Sequence, residues 1–247
     1  AMLSGLGALH ALSAADTPVH RLDPRAKLIT TLLFVLAVAS AGRYQVVTLL
    51  PLFAYPLLLC LIGRVPLGYL VSRLLIAAPF ALIIGAFNPV FDAETRMVVG
   101  GVAISGGWIS YLSIITRFAL TVAAAIALVA VTGFNAVCTS LDRLGAPRVF
   151  VVQLMFLHRY LFLLVAETGR MLRAKKLRTF HRRGTPLGLF GSMAGTLLLR
   201  TLDRAERIQK AMSCRGFAGE MPLIRPLRFR AVDAGFVLGW AGFFAAV

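Results

Sequence analysis

Two arginines are placed where they could do chemistry. Arg178 and Arg215 each sit at the centre of a short cluster, Leu177-Arg178-Thr179 and Cys214-Arg215-Gly216. A guanidinium stays protonated in proteins and presents five donors in a rigid fork to carboxylates or backbone carbonyls. Its chemistry is recognition. Groups for bond-making do not assemble in this sequence. His10, His20, His158 and His181 are scattered, and no two share a helix face at ligand spacing, so no metal site is expected. Cys60, Cys138 and Cys214 form no Cys-x-x-Cys pair and no plausible disulfide framework. No Gly-x-x-x-x-Gly-Lys-Ser/Thr loop occurs, so any ATP chemistry must come from a partner. The expectation is a chain without catalytic residues or cofactor, whose arginines grip another protein.

The elements that present these arginines are two long helices, expected over 148–180 and 187–214 and separated by Gly184-Thr185-Pro186. In the second, Leu198, Leu202, Ala205, Ile208 and Met212 recur at helical spacing as one apolar stripe. Leu157, Leu161, Leu164, Thr168, Met171 and Lys175 make a similar stripe on the first, turning polar towards its end. Asp203–Arg207 and Glu206–Lys210 are i,i+4 pairs with the acid first, the favourable order. Gly216 directly after Arg215 suits a left-handed C-cap. An arginine on a last helical turn lies favourably against the helix dipole. Two such ends form a two-pronged plug, suited to two copies of one soluble partner; a solvated helical hairpin is the plainer alternative.

Around this pair the chain is apolar. Mean hydropathy is +0.83, 59% of residues are hydrophobic and only 15% are charged, against about 25% in a soluble domain. Lipid must solvate much of this surface. Roughly residues 28–42, 45–62, 74–91, 108–131 and 231–247 carry almost no charge, and residues 132–230 hold 18 of the 26 Lys and Arg. With the N-terminus in the cytoplasm, 23 of the 26 lie on that side, as the positive-inside rule requires. The fold class expected is an all-α integral membrane protein with about five transmembrane helices plus a cytoplasmic pair of long helices. The expected divisions are 1–131 with four spans, 132–230 in the cytoplasm, and a final span at 231–247. The first run is read as a retained span, since about 27 mixed residues precede it and further spans follow.

Asp23-Pro24-Arg25 can cap the first span, with Asp at N-cap and Pro at N1; contact with a partner is the alternative. Arg117 falls inside the fourth span. An intramembrane charge is a candidate functional residue, and pairing with the carbonyls of a broken neighbouring helix is the other reading. The net charge of +16 does not point to nucleic acid, because the basic residues sit on helices with apolar stripes and few interleaved aromatics. A secondary transporter is disfavoured: all ten acids lie outside the spans or at their edges, and no inverted repeat is visible.

Leu22-Asp23-Pro24-Arg25-Ala26-Lys27-Leu28 resembles the Asp-Pro-Arg-x-Lys-Leu signature that precedes the first span in the T components of energy-coupling factor (ECF) transporters. Arg204-Ala205-Glu206-Arg207, then Ala211-Met212, then Cys214-Arg215-Gly216-Phe217 resembles that family's second coupling motif in its cobalt-transport form, CbiQ. The order of parts agrees over nearly the whole chain. The resemblance implies the scaffold of an ABC-type importer in a bacterial plasma (inner) membrane, with Asp23, Pro24, Arg25, Lys27, Arg204, Glu206 and Arg207 as motif residues. It implies two ATP-binding cassette ATPase subunits as partners, one at each coupling helix, through Leu177, Arg178 and Thr179 and through Cys214, Arg215 and Gly216. A separate membrane subunit would capture cobalt, with a small accessory membrane subunit as an option; nickel or a vitamin is the alternative cargo. The first motif departs from the pattern, with Leu177 and Thr179 where many relatives have Ala and Gly, and with Arg182 and Arg183 close by.

Overall fold

Asp23 starts the first helix. Its carboxylate accepts the Arg25 N–H at 2.9 Å, Pro24 occupies the first turn, and α1 runs Pro24–Ser40. The computed structural model describes residues 17, 19–20, 22–42, 46–87, 95–99, 102–178, 187–217, 219 and 229–247, of which 46–47, 95–99, 102–105 and 187 are described by backbone alone. Among these, α2 is Val46–Leu49, followed by a 3-10 turn at Pro51–Phe53 and α3 at Ala54–Ile62. Then come α4 (Leu67–Ala86), β1 (Thr95–Val99), β2 (Val102–Ser105), α5 (Gly106–Thr132) and α6 (Phe134–Arg143). The last three are α7 (Arg148–Arg178), α8 (Leu187–Ser213) and α9 (Ala231–Ala246). The fold is an all-α membrane architecture carrying one short antiparallel hairpin.

Three of the described helices are long and apolar enough to cross a membrane: α4, α5 and α7. The sequence reading placed α7 among the cytoplasmic elements, so its apolar length is a finding. The run 45–62 is not one α-helix. Pro51 lacks the N–H that would continue the ladder, and the path passes through a 3-10 turn before α3 resumes. Helix α4 begins at Leu67, seven residues ahead of the apolar run, and carries Pro79 inside it. The Arg73 guanidinium lies 5.2 Å from the Tyr69 ring centroid near that basic start.

The described residues fall into two compact units, one within 4–140 and 226–247, the other within 141–225. In the first, α5 lies against α1, α3 and α4. Its Ala123, Ala124, Ala127 and Ala130 are buried, and such small residues let helices approach closely in lipid. Gly85 of α4 meets the Tyr111 ring; a Cβ there would lie 2.8 Å from it. Helices α1 and α9 pack in parallel: Asp23 bonds Asp233, and eleven residues further along each helix the Phe34 and Phe244 rings stand 5.5 Å apart. Tyr55 joins this core, edge-on to Trp240 at 4.9 Å, with its hydroxyl 2.7 Å from Thr31 Oγ1. In the second unit, α7 and α8 meet over a short stretch.

Candidate functional site

The pair α7 and α8 is fastened by one carboxylate. Glu167 Oε1 accepts from Arg200 Nη1 across the helices at 2.8 Å, and Glu167 Oε2 accepts from Arg170 on its own helix. The expected Asp203–Arg207 and Glu206–Lys210 pairs do not close among the described residues; the ion pairs of these helices run from Glu167 instead. A groove of about 770 Å³ opens beside this crossing. Helix α7 lines it with Phe156, Tyr160, Leu163 and Leu164, and α8 with Ala205, Ile208 and Met212, closed by Phe217. Arg204 and Arg207 lie along its α8 wall; Glu206 points elsewhere and is exposed.

That groove fixes the directions of the two helices. It is shared by α7 residues before Glu167 and α8 residues after Arg200. The stretch of α7 after Glu167, ending at Arg178, therefore extends on the opposite side of the crossing from the stretch of α8 ending at Arg215. At 1.5 Å per residue, Arg178 lies about 16 Å from the crossing and Arg215 about 22 Å. Both arginines and Leu177 are exposed. Arg178 closes the last turn of α7 beside Lys175 and Lys176, against the negative end of the helix dipole. Thr179, Arg182 and Arg183 lie outside the described residues.

The second cluster is a complete C-cap. Phe217 N–H donates to Met212 O at 3.1 Å and Gly216 N–H to Ser213 O at 3.1 Å, the two bonds of a Schellman motif. Gly216 has φ +74°, a conformation that costs any other L-residue. Cys214 and Arg215 are thereby held on a rigid exposed turn. Cys60 and Cys138 are buried, and burial pushes the Cys138 thiol up. Among the described residues no group of His, Cys, Asp and Glu could hold a metal.

The N-terminal motif is a second built site. Asp23, Lys27 and Asp233 are buried together at the adjoining starts of α1 and α9. Asp233 Oδ1 accepts the Asp23 N–H at 2.8 Å and its Oδ2 accepts the Arg230 N–H at 2.7 Å. Arg25 Nε stands 4.0 Å from Asp23 Oδ1. Arg117 is explained too: its Nη2 donates to Ala41 O at 2.8 Å and to Gly42 O at 2.7 Å, capping the end of α1.

Comparison with known proteins places the chain in a family. The profile of the CbiQ family, described as cobalt transport protein, matches residues 15–224. The chain belongs to this family. It is similar to the energy-coupling factor transporter transmembrane protein EcfT of Heliobacterium modesticaldum, with 26% identity over 94% of this chain and 92% of that protein. It is similar also to EcfT of Bacillus subtilis, at 28% identity over 81% of each chain. The EcfT of Streptococcus thermophilus matches at 24% over 83% of this chain and 82% of its own. This CbiQ-family chain is thus a membrane-embedded T component of an ECF transporter.

Two residues that join helices in this structure are not among those the sequence singled out. Asp233 was legible as the one acid in the last apolar run, at the third position of a helix, where a carboxylate faces free N–H groups. Glu167 marks where α7 turns from apolar to basic, yet its partner Arg200 lies 33 residues on, beyond any local rule.

Proposed function

We propose that the chain is the T component of a cobalt importer, coupling two ATPase subunits to a membrane subunit that captures the ion. The observation that carries this reading is the pair of exposed arginines at helix ends on opposite sides of one crossing. Each is exposed, and each offers a forked donor set to acidic side chains or carbonyls on an ATPase surface. Two prongs, each ending in an arginine, fit two copies of one soluble subunit. Residues 132–230 act as the cytoplasmic coupling region. The N-terminus lies in the cytoplasm of a bacterial cell, in keeping with the distribution of basic residues. A small accessory membrane subunit is a further candidate partner, and the chain itself hydrolyses no ATP.

The test is co-purification of the ATPase, and cobalt uptake, with Arg178→Ala, Arg215→Ala and both together. Truncating one partner of a contact that becomes buried costs about 2–5 kcal/mol. Each single change should weaken assembly, Arg215→Ala more than Arg178→Ala because the second motif fits the family pattern better, and the double change should nearly abolish it. Wild-type assembly and uptake in all three would overturn the assignment. The names of the three EcfT relatives carry no cargo, so nickel or a vitamin is the competing substrate. Uptake assays with each, in cells holding the matching capture subunit, decide between them.

A further inference from the structure

We infer that Asp233 is a positioning residue for transport: its carboxylate locks the Asp-Pro-Arg start of α1 onto the last helix and so aims Arg25 at a partner, with Lys27 as buried counter-charge. This rests on the coupling role proposed above. Three observations lead to it. First, α1 and α9 run parallel and start together, which brings two positive dipole ends side by side. Lys27 is buried at the same corner. Two carboxylates, Asp23 and Asp233, meet these dipole ends and Lys27, and the Asp233 carboxylate bridges both helix starts. Second, the bridge is to backbone: Asp233 holds the N–H of Asp23 and of Arg230, the residues that precede the two helices. Asp23 in turn accepts the Arg25 N–H and faces the Arg25 guanidinium. Arg25 ends this relay half-buried, with 24% of its side chain exposed and its Nε buried without a hydrogen-bond partner of its own, a donor left for another group. Third, α9 does not need the carboxylate merely to stay in place. Phe34, Tyr55, Trp240 and Phe244 already pack it against α1 and α3 further along. What Asp233 adds is the position of the helix starts.

The experiment uses the full chain carrying Trp108→Phe, so that Trp240 is its one indole. Asp233→Asn, Lys27→Met and the double variant are compared. Hydrogen exchange at the Asp23 and Arg230 amides reads the lock itself, independently of any partner. Trp240 emission reads the aromatic packing. Cobalt uptake per inserted chain, with the ATPase and capture subunits present, reads function. Asp233→Asn should speed exchange at both amides by roughly tenfold and cut uptake by roughly tenfold, with Trp240 emission unchanged. Lys27→Met should give smaller losses in the same direction, and the double variant should lose less than the product of the singles, because the two groups share one interaction. Unchanged exchange in Asp233→Asn overturns the lock. Faster exchange with wild-type uptake overturns the positioning role. Should Asp233→Asn fail to insert, Lys27→Met decides: wild-type exchange and uptake in that variant would sink the inference. If the unaltered chain imports no cobalt, the substrate reading fails, and ATPase co-purification replaces uptake as the functional readout.

Discussion

Arg117 shows how one side chain can change its reading when its surroundings are known. From sequence it was a charge inside an apolar run, open to a functional or a structural account. Its guanidinium caps the Ala41 and Gly42 carbonyls, so the structural account holds. Arg117→Leu should leave both carbonyls unpaired and cost about 1–3 kcal/mol, read as a lower Tm in detergent. Gly216 was legible as a C-cap because only glycine enters the left-handed region freely. Nothing lies near its missing Cβ, so Gly216→Ala should cost only backbone strain, about 1–2 kcal/mol, and should loosen the presentation of Arg215. Thermal melts and ATPase co-purification separate those two effects. Cysteine chemistry is sorted by burial. A maleimide should label Cys214 in the folded protein and leave Cys60 and Cys138 unmodified until denaturation.

Elements were readable to the degree that their faces differ. Four members of the α8 stripe, Leu202, Ala205, Ile208 and Met212, line the groove, while Leu198 is exposed outside it. The α7 stripe was rotated by about one residue. The face turned to α8 is Phe156, Tyr160, Leu163 and Leu164, while Leu157 and Leu161 are exposed. The first half of α7 is apolar nearly all round, so periodicity could not choose a side. The hairpin β1–β2 has a sequence signal of its own in Gly100-Gly101 between its strands, a two-residue hairpin pattern set among long apolar runs. Helix contacts at glycine were invisible in sequence. Gly85→Ala should push the Tyr111 ring aside and cost about 1–3 kcal/mol, partly recovered by Tyr111→Leu; Tm values for the two singles and the double check this. The crossing of α7 and α8 predicts a distance of about 35–40 Å between spin labels at positions 178 and 215.

At the scale of the whole chain, the order of apolar and basic segments was enough to give the class, because lipid admits few architectures. Five spans require the first and last to run the same way and the third and fourth to oppose each other. Helices α1 and α9 are parallel, and Gly85 against Tyr111 makes α4 and α5 antiparallel. Orientation follows as a prediction: in a background without Cys214, a cysteine at exposed Phe190 should react with a membrane-impermeant maleimide in inverted vesicles and not in intact cells. The Glu167–Arg200 ion pair has a further consequence. It leaves two tips of unequal reach, 11 residues from Glu167 to Arg178 and 15 from Arg200 to Arg215. A rotation of about 10° at the crossing sweeps one tip through about 3 Å and the other through about 4 Å. Two identical motors gripping these tips would pull with unequal leverage, so a symmetric stroke becomes a tilt.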